Sequence, residues 1–163
     1  MLQLELARNH AELGKMMDAE VPAGWPPPLY EDGAIRWVLQ RLQGSQRTAL
    51  WYTWYFIRRD PGGRRELIGA GGFKGAPRGG AVEIGYSVVP SAQGLGLATE
   101  AAAGLVAWAR TFPGVRKIVA HTLPELGASI RVLEKNGFKQ RGKPDEPEAI
   151  RFELDLRRYN PRL

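Results

Sequence analysis

The apolar pattern of this 163-residue chain changes its period near residue 90. Before that point, runs rich in aromatic and β-branched residues alternate with glycine and proline turns, and they cover 50–57, 65–74 and 81–89. Such runs predict three antiparallel strands, the first apolar enough to be buried on both faces. After it, apolar side chains recur every three or four residues from 97 to 112, the period of an amphipathic helix. Both patterns together predict a mixed α/β domain.

Other segments add elements at both ends of the chain. Leu2–Ala7 alternates between apolar and polar residues and is interpreted as a short strand, and Asn9 is expected to cap a helix over about 10–20. Four prolines within 21–29 exclude a helix or a central strand there. The remaining predicted elements are a helix that Asp32 caps, strands over 117–123, 138–141 and 150–156, and a helix over Ser129–Asn136 that Gly137 ends.

The composition excludes several classes of protein. The chain has no cysteine, which rules out a disulfide framework, a thiolate zinc site and a cysteine nucleophile. It has two distant histidines and no carboxylate cluster, so we expect no metal site. The lack of cysteine fits a reducing compartment, and the sequence shows neither a signal peptide nor the ~20 apolar residues that cross a membrane. We therefore expect a cytoplasmic protein with one domain over residues 1–163.

The charge of the chain is positive and evenly spread. It carries 23 basic and 17 acidic residues, a formal net charge of +6, and the basic excess is the same in both halves. A diffuse basic surface suits any polyanionic ligand, including a phosphorylated cofactor. Arginines cluster only around one turn, at 58–59 and 64–65, so nucleic acid is not an expected partner.

A pair of glycines stands where the third strand joins the following helix. Gly94 and Gly96 remove two side chains there, so that backbone N–H groups can approach a ligand closely. The first four N–H groups of a helix lack partners within it, and with the helix dipole they form an anion site suited to a pyrophosphate. The junction is neither a Walker A loop nor G-x-G-x-x-G, which would need glycine at Thr99. The alternative is that the glycines only tighten the turn.

Two motifs, in order, resemble those of the GNAT N-acetyltransferase superfamily. Gln93, Gly96 and Ala98 form Q-x-x-G-x-A after a strand that ends in Val-Val-Pro, as in the acyl-CoA-binding motif of that family. Further along, Ala128–Phe138 resembles its second CoA-facing motif, especially in the branch that includes ribosomal-protein N-terminal acetyltransferases. Glu83–Tyr86 is typical of that branch too. The resemblance covers about residues 50–156, and the first 45 residues only by the order of their elements.

The resemblance implies a fold, an acyl donor and the residues that bind it. The fold would be α+β, with about seven mostly antiparallel strands splayed into a V and about four flanking helices; the V would open where the strands over 81–89 and 117–123 part. Acetyl-CoA would react by direct transfer without a metal, and its pantetheine arm would pair with backbone near Val88 and Val89. The expected donor-binding residues, including those that meet the pyrophosphate, are Val88, Val89, Gln93, Gly94, Leu95, Gly96, Leu97, Ala98 and Thr99.

Two residues depart from the family pattern. Leu126 stands where an asparagine often contacts the CoA arm, and Leu133 stands where a tyrosine often protonates the leaving thiolate. Where that tyrosine is missing, a serine at the position of Ser129 is the suggested substitute, so the resemblance implies Ser129 as the acid. The alternative for Ser129 is a helix N-cap.

Glu83 is the candidate general base. It lies on the strand that would border the acceptor groove, and it could take a proton from an ammonium through a water. The alternatives are a solvent-facing Glu83 and the acids of the loop at 145–148. His121, on a strand that would flank the site, is interpreted as a packed core residue.

The sequence thus predicts an enzyme that moves an acetyl group from acetyl-CoA to a primary amine. The amine is either a peptide or protein N-terminus or a small molecule. The alternative is a degenerate module of the same fold that binds CoA without turnover, which Leu126 and Leu133 suggest. Acetyl-CoA and an amine are the expected partners, nucleic acid and membranes are not, and a homodimer is left open.

Overall fold

The computed structural model describes residues 1–30, 32–42, 46–144 and 147–157, within which five α-helices and six strands form. The helices are α1 (Leu2–Leu6), α2 (His10–Met17), α3 (Asp32–Leu42), α4 (Leu97–Arg110) and α5 (Gly127–Lys135). The strands are β1 (Thr53–Arg59), β2 (Arg65–Phe73), β3 (Ala81–Val88), β4 (Lys117–Thr122), β5 (Lys139–Gln140) and β6 (Ile150–Asp155). Two short 3-10 helices cover Gln46–Trp51 and Pro90–Ala92.

The six strands form one sheet in the order β1-β2-β3-β4-β6-β5. Short connections join β1 to β2 and β2 to β3, whereas β3 and β4 are parallel, and β6 runs antiparallel to both β4 and β5. The predicted α+β class with a mostly antiparallel sheet is therefore confirmed. The described residues hold one strand fewer and one helix more than the sequence predicts.

Residues 1–71 and 86–95 form one compact unit. In it Asn9 caps α2 as predicted, because its Oδ1 accepts a hydrogen bond from the amide of Glu12 at 3.2 Å. The segment over 21–29 forms no helix or strand, apart from one isolated bridge before it at Glu20, and it buries Trp25. The proline-rich segment is thus the loop that the sequence predicts.

A buried carboxylate links three parts of this first unit. Glu5 of α1 is 3% exposed, and its Oε2 accepts hydrogen bonds from the hydroxyls of Tyr30 at 3.2 Å and Tyr55 at 3.0 Å. Burial raises the pKa of the Glu5 carboxyl, and the tyrosine hydrogen bonds offset only part of that effect. The cluster joins α1, the end of the proline-rich loop and β1.

Two predicted elements of this unit are wrong in type or extent. Leu2–Ala7 is not a strand: the amides of Leu4 and Glu5 donate to the carbonyl of Met1, which begins helix α1. The strand predicted over 50–57 begins only at Thr53, after a 3-10 helix, and its residues are partly exposed on both faces. Leu50, expected in a buried strand, is 60% exposed.

Residues 72–85 and those from 96 onward form the second compact unit. One face of its strands is apolar, and with α4 it supplies a core of Val82, Ile84, Ala102, Leu105, Val106, Ala109, Ile118, Ala120, Phe152 and Leu154, each at most 4% exposed. The rings of Phe73 and Trp108 meet with centroids 5.6 Å apart and join β2 to α4. Because successive side chains of a strand point to opposite faces, the odd-numbered residues of β3 and β4 lie on the other face.

Candidate active site

Two glycines leave open space beside the backbone where β3 leads into α4. Gly94 and Gly96 adopt the left-handed conformation, with φ of 75° and 79°, which a side chain rarely permits. A Cβ at Gly96 would meet no atom within 4 Å, so space is open in front of this residue. Gly96 is the N-cap of α4, and its carbonyl accepts hydrogen bonds from the amides of Thr99 and Glu100.

The first two amides of α4 lie next to this glycine in the chain. Within the part of the chain that the structure describes, Leu97 and Ala98 donate to no backbone or side-chain acceptor. Two such donors at the positive end of a 14-residue helix can bind an anion. This geometry is compatible with an anion at the junction, and the anion site stays a prediction.

A buried asparagine fixes the first turn of α4. Asn136 is 4% exposed, and its Nδ2 donates to the carbonyls of Thr99 at 3.2 Å and Val132 at 2.9 Å. The backbone reverses just after it, because Gly137 has a φ of 82° and the amide of Phe138 donates to Leu133. The sequence predicts Asn136 only as a helix end, and its Asn-Gly pair gave no sign of the bond to Thr99.

A groove of about 1410 Å³ runs beside this helix start within the second unit. Gly96, Thr99 and Asn136 lie along it. Basic residues outnumber acidic ones in its lining; the basic ones are Arg116, Lys117, Lys135, Lys139, Arg141 and Arg157, and the acidic ones are Glu100, Glu134, Glu153 and Asp155. The groove thus adds positive charge near the amides of Leu97 and Ala98.

The end of β3 in the first unit carries the residues predicted to meet the pantetheine arm. Val88 and Val89 are buried, and the amide of Val89 donates to Ile68 of β2 at 2.8 Å. The Val88 carbonyl accepts from Gln93 Nε2 at the long distance of 3.5 Å. Because successive amides of a strand point to opposite edges, the Val88 amide points away from β2. Val88 can therefore pair with a ligand, whereas the Val89 amide is already engaged.

The ladder between β3 and β4 stops early. It contains only the pairs Ala81–Lys117, Val82–Ile118 and Glu83–Val119, although both strands continue beyond it. Past the last pair, Gly85 of β3 is exposed, and a Cβ there would meet no atom within 4 Å. The strands therefore part just after Glu83, and open space lies beside that residue.

Glu83 stands at the point where the strands part and has two partners. Its Oε1 pairs with Lys74 Nζ and lies 3.0 Å from His121 Nδ1. The side chains of Glu83 and His121 are 21% and 12% exposed. Burial acts to raise the pKa of the Glu83 carboxyl, but Lys74 and His121 together outweigh burial and hold the pKa below its usual range.

Further charges surround this pair on the same face of the sheet. In the β4–β6 ladder His121 lies opposite Arg151, and Val119 lies opposite Glu153. Glu153 accepts from Lys117 Nζ at 3.0 Å and from Arg151 at 2.8 Å, and these cations lower its pKa against the effect of burial. The carboxylates on this face are thus matched by cations, and the sequence did not predict that His121 joins them.

Ser129 lies in the first turn of α5 and does not cap it. The helix begins at Gly127, with Leu126 at the N-cap, two residues before the predicted start, so the N-cap alternative for Ser129 is wrong. Leu133, at the family tyrosine position, is 1% exposed and packs in the core. Its side chain offers no proton, which leaves the acid role predicted for Ser129 open.

The remaining candidates lie outside this cluster. Asp145 and Glu146, of the alternative acidic loop, are outside the described residues, and Glu148 is exposed. The described residues include no group of three or more histidine, aspartate or glutamate side chains placed to hold a metal ion. No helix in the same part of the chain is long and apolar enough to cross a membrane.

Comparisons with known proteins agree on one family. The family model described as "Acetyltransferase (GNAT) domain" matches residues 4–139. The protein named Uncharacterized N-acetyltransferase YjdG, from Bacillus subtilis (strain 168), is 30% identical over 125 residues, which are 76% of this chain and 72% of that protein.

Solved structures point the same way. An acetyltransferase (GNAT family) from Bacillus anthracis is 26% identical, with a TM-score of 0.50 over 55% of this chain and 59% of that one. The aminoglycoside acetyltransferase AAC(6')-Ib, solved in complex with coenzyme A, is 25% identical, with a TM-score of 0.53 over 67% of this chain and 69% of that one.

Proposed function

Since the chain belongs to the GNAT acetyltransferase family, we propose that it is an N-acetyltransferase that moves the acetyl group of acetyl-CoA to a primary amine. The observation that carries the proposal is the start of α4. There Gly96 is left-handed, and the amides of Leu97 and Ala98 find no acceptor among the described residues. Donors with open space before them suit phosphate oxygens.

The donor phosphates would bind at the basic groove and the start of α4, both in the second unit. Coenzyme A is a polyanion, and the lining of the groove has more basic than acidic residues. The coenzyme A complex of AAC(6')-Ib supports a ligand of this size on a similar fold. We keep the full set of predicted donor contacts as part of the proposal: Val88, Val89, Gln93, Gly94, Leu95, Gly96, Leu97, Ala98 and Thr99.

The reaction needs a route for two protons. An ammonium cannot attack a thioester, so the amine first loses a proton near Glu83 and His121. Its nitrogen then bonds to the carbonyl carbon, and the C–S bond breaks so that sulfur leaves with the electron pair. We propose that the Ser129 hydroxyl gives its proton to the thiolate and takes up the second proton of the nitrogen, so that the serine is restored.

For the acceptor we favour a single amine, such as a peptide or protein N-terminus. This is the acceptor of the ribosomal-protein branch that the motifs resemble. The net charge of +6 repels a polycationic acceptor, which argues against polyamines. We place the reaction in the cytoplasm, which fits a chain without cysteine.

A second candidate is a CoA-binding module without turnover. Leu133 favours it, because this buried side chain supplies no hydroxyl at the position where a tyrosine of the family often protonates the thiolate. One experiment separates the two: acetyl-CoA is offered with a panel of N-terminal peptides and small amines, and released thiol is measured. We expect thiol release that depends on the amine. Binding of CoA in calorimetry, without thiol release for any amine, would support the module instead.

A further inference from the structure

We propose that the chain forms a homodimer in which the β1 strands of two copies pair antiparallel along their outer edges. The outer edge is the side of β1 that faces away from β2. The partner is thus a second copy of this chain, and Phe56, the central residue of β1, lies at the two-fold axis. The inference goes beyond the proposed reaction and does not depend on it, since β1 belongs to the first unit.

The outer edge of β1 offers backbone groups to another strand. β1 stands at the end of the sheet order, so β2 is its one neighbour among the described strands. Alternate residues of an antiparallel strand direct their N–H and C=O groups to opposite edges, so about half of these groups face outward. Among the described residues, no loop or helix is hydrogen-bonded to the backbone of residues 55–59. A second strand can therefore pair there.

The sequence of β1 lacks the features that usually keep an edge strand from pairing with another chain. Proteins protect such edges with prolines, with charged side chains inside the strand, or by making the strand very short. β1 has seven residues and no proline, and Thr53–Ile57 is uncharged, partly exposed and contains three consecutive aromatic residues. The charged Arg58 and Arg59 stand only at the end of the strand. Pairing with a second copy covers this apolar edge.

Charge decides between the two ways in which identical strands can pair. In a parallel pair in register, Arg58 and Arg59 would each lie beside the same arginine of the second copy, and like charges side by side are destabilising. In an antiparallel pair, the arginines of the two copies lie at opposite ends. Antiparallel pairing of all seven residues has Phe56 at its centre, and it places Trp54 opposite Arg58 of the second copy.

The contact between Trp54 and Arg58 is favourable, and the two-fold axis makes it occur twice. A guanidinium over the face of an indole gains a cation–π interaction. The Nε1 of Trp54 donates to the Leu50 carbonyl at 2.8 Å, so the ring is already held in place and loses little freedom on pairing. Arg58 is exposed and makes no hydrogen bond or ion pair with the described residues, so its guanidinium is available to the second copy.

Sedimentation of the whole chain over a range of protein concentrations tests the proposal. Wild type should form a species of about twice the 18.1 kDa of one chain. Trp54→Lys puts a second cation opposite Arg58, and Arg58→Glu removes the cation that meets Trp54, so each variant alone should dimerise at least about tenfold more weakly. Arg131→Glu, the same charge reversal at an exposed arginine of α5, is the matched control and should dimerise as wild type does.

A mixture of Trp54→Lys and Arg58→Glu tests the register. In a mixed pair, the new lysine of one copy lies opposite the new glutamate of the other, and the remaining tryptophan lies opposite the remaining arginine. Both contacts are favourable, so the mixture should form a heterodimer although each variant alone pairs weakly with itself. Parallel pairing would instead put like residues side by side and would not place the lysine opposite the glutamate.

Three outcomes would overturn the inference: a wild type that stays monomeric at every concentration, dimers of Arg58→Glu as stable as those of wild type, or a mixture that stays monomeric. Thermal unfolding verifies that each variant is folded. Arg58→Glu changes an exposed side chain and should fold, so its loss of dimerisation tests the proposal even if Trp54→Lys, which loses the bond to Leu50, unfolds. CoA affinity should stay unchanged, because the groove residues belong to the second unit.

Discussion

Gly96 combines two properties, a left-handed backbone and an open approach for a ligand. Gly96→Val would force a β-branched residue into a φ of 79° and place its branch where the donor phosphates are proposed to bind. We expect a folded protein with at least about tenfold weaker CoA binding in calorimetry, a loss of ~1.4 kcal/mol.

Backbone strain alone could weaken a variant of this kind, and the chain offers a matched control. Gly63 has a φ of 84° with no atom within 4 Å of its Cβ position, and it lies in the turn after β1. Gly63→Val should therefore carry a similar strain and lose similar stability, yet keep full CoA affinity. Equal CoA binding by both variants would refute the anion site at Gly96.

The buried carboxyl of Glu5 should make the stability of the protein depend on pH. Its pKa is raised by burial, so the folded protein binds this proton more tightly than the unfolded chain does. Stability from this group is therefore gained as the pH falls through the raised pKa toward the ordinary value of about 4.3, and lost as the pH rises.

Glu5→Gln removes this titration but keeps an oxygen for Tyr30 and Tyr55 to bond. Urea unfolding of both proteins at pH 7 and pH 4.5 gives the difference in their free energies of unfolding. We expect wild type to gain stability relative to the variant on acidification, since all other groups are shared. A difference that is the same at both pH values, or that moves the other way, would contradict the raised pKa.

At the scale of elements, local signals located most of the helices and strands, and contacts between distant residues decided the rest. The Asn9 cap and the left-handed Gly137 were predicted correctly, because each acts within one turn of its own helix. The strand predicted over Leu2–Ala7 was wrong. Its alternation counted Glu5 as a solvent-facing residue, whereas Glu5 is buried against two tyrosines that lie 25 and 50 residues further along the chain. Likewise, nothing near Glu83 in the sequence indicated His121, 38 residues away.

The start of α5 changes what a substitution at Ser129 should do. Because the helix begins at Gly127, Ser129→Ala removes no N-cap, and the cost of about 1 kcal/mol that a cap would carry is not expected. If Ser129 protonates the thiolate, turnover should fall about a hundredfold while acetyl-CoA binding is kept. Thermal unfolding, calorimetry and thiol release together measure these quantities. A stable variant with full turnover would reject the acid role.

The composition gives the total charge of the protein but not how the fold distributes it. The net charge of +6 is divided equally between the two halves of the sequence, yet the folded second unit gathers six cations around one groove from α5, the loops and the strand edges. This gathering depends on tertiary structure, since the six residues are spread from 116 to 157. Sequence motifs therefore located the glycine junction but could not locate the groove beside it.

Two substitutions separate the local charge of the groove from the charge of the whole protein. Lys139→Gln and Arg58→Gln each remove one positive charge, but only Lys139 lines the groove, and Arg58 is an exposed residue of β1. We expect Lys139→Gln to weaken CoA binding about threefold or more at 50 mM salt, with a smaller effect at 300 mM because salt screens exposed charges. Arg58→Gln should bind CoA like wild type at both. If the two variants lose affinity equally, net charge alone attracts the donor and the groove has no specific part in binding it.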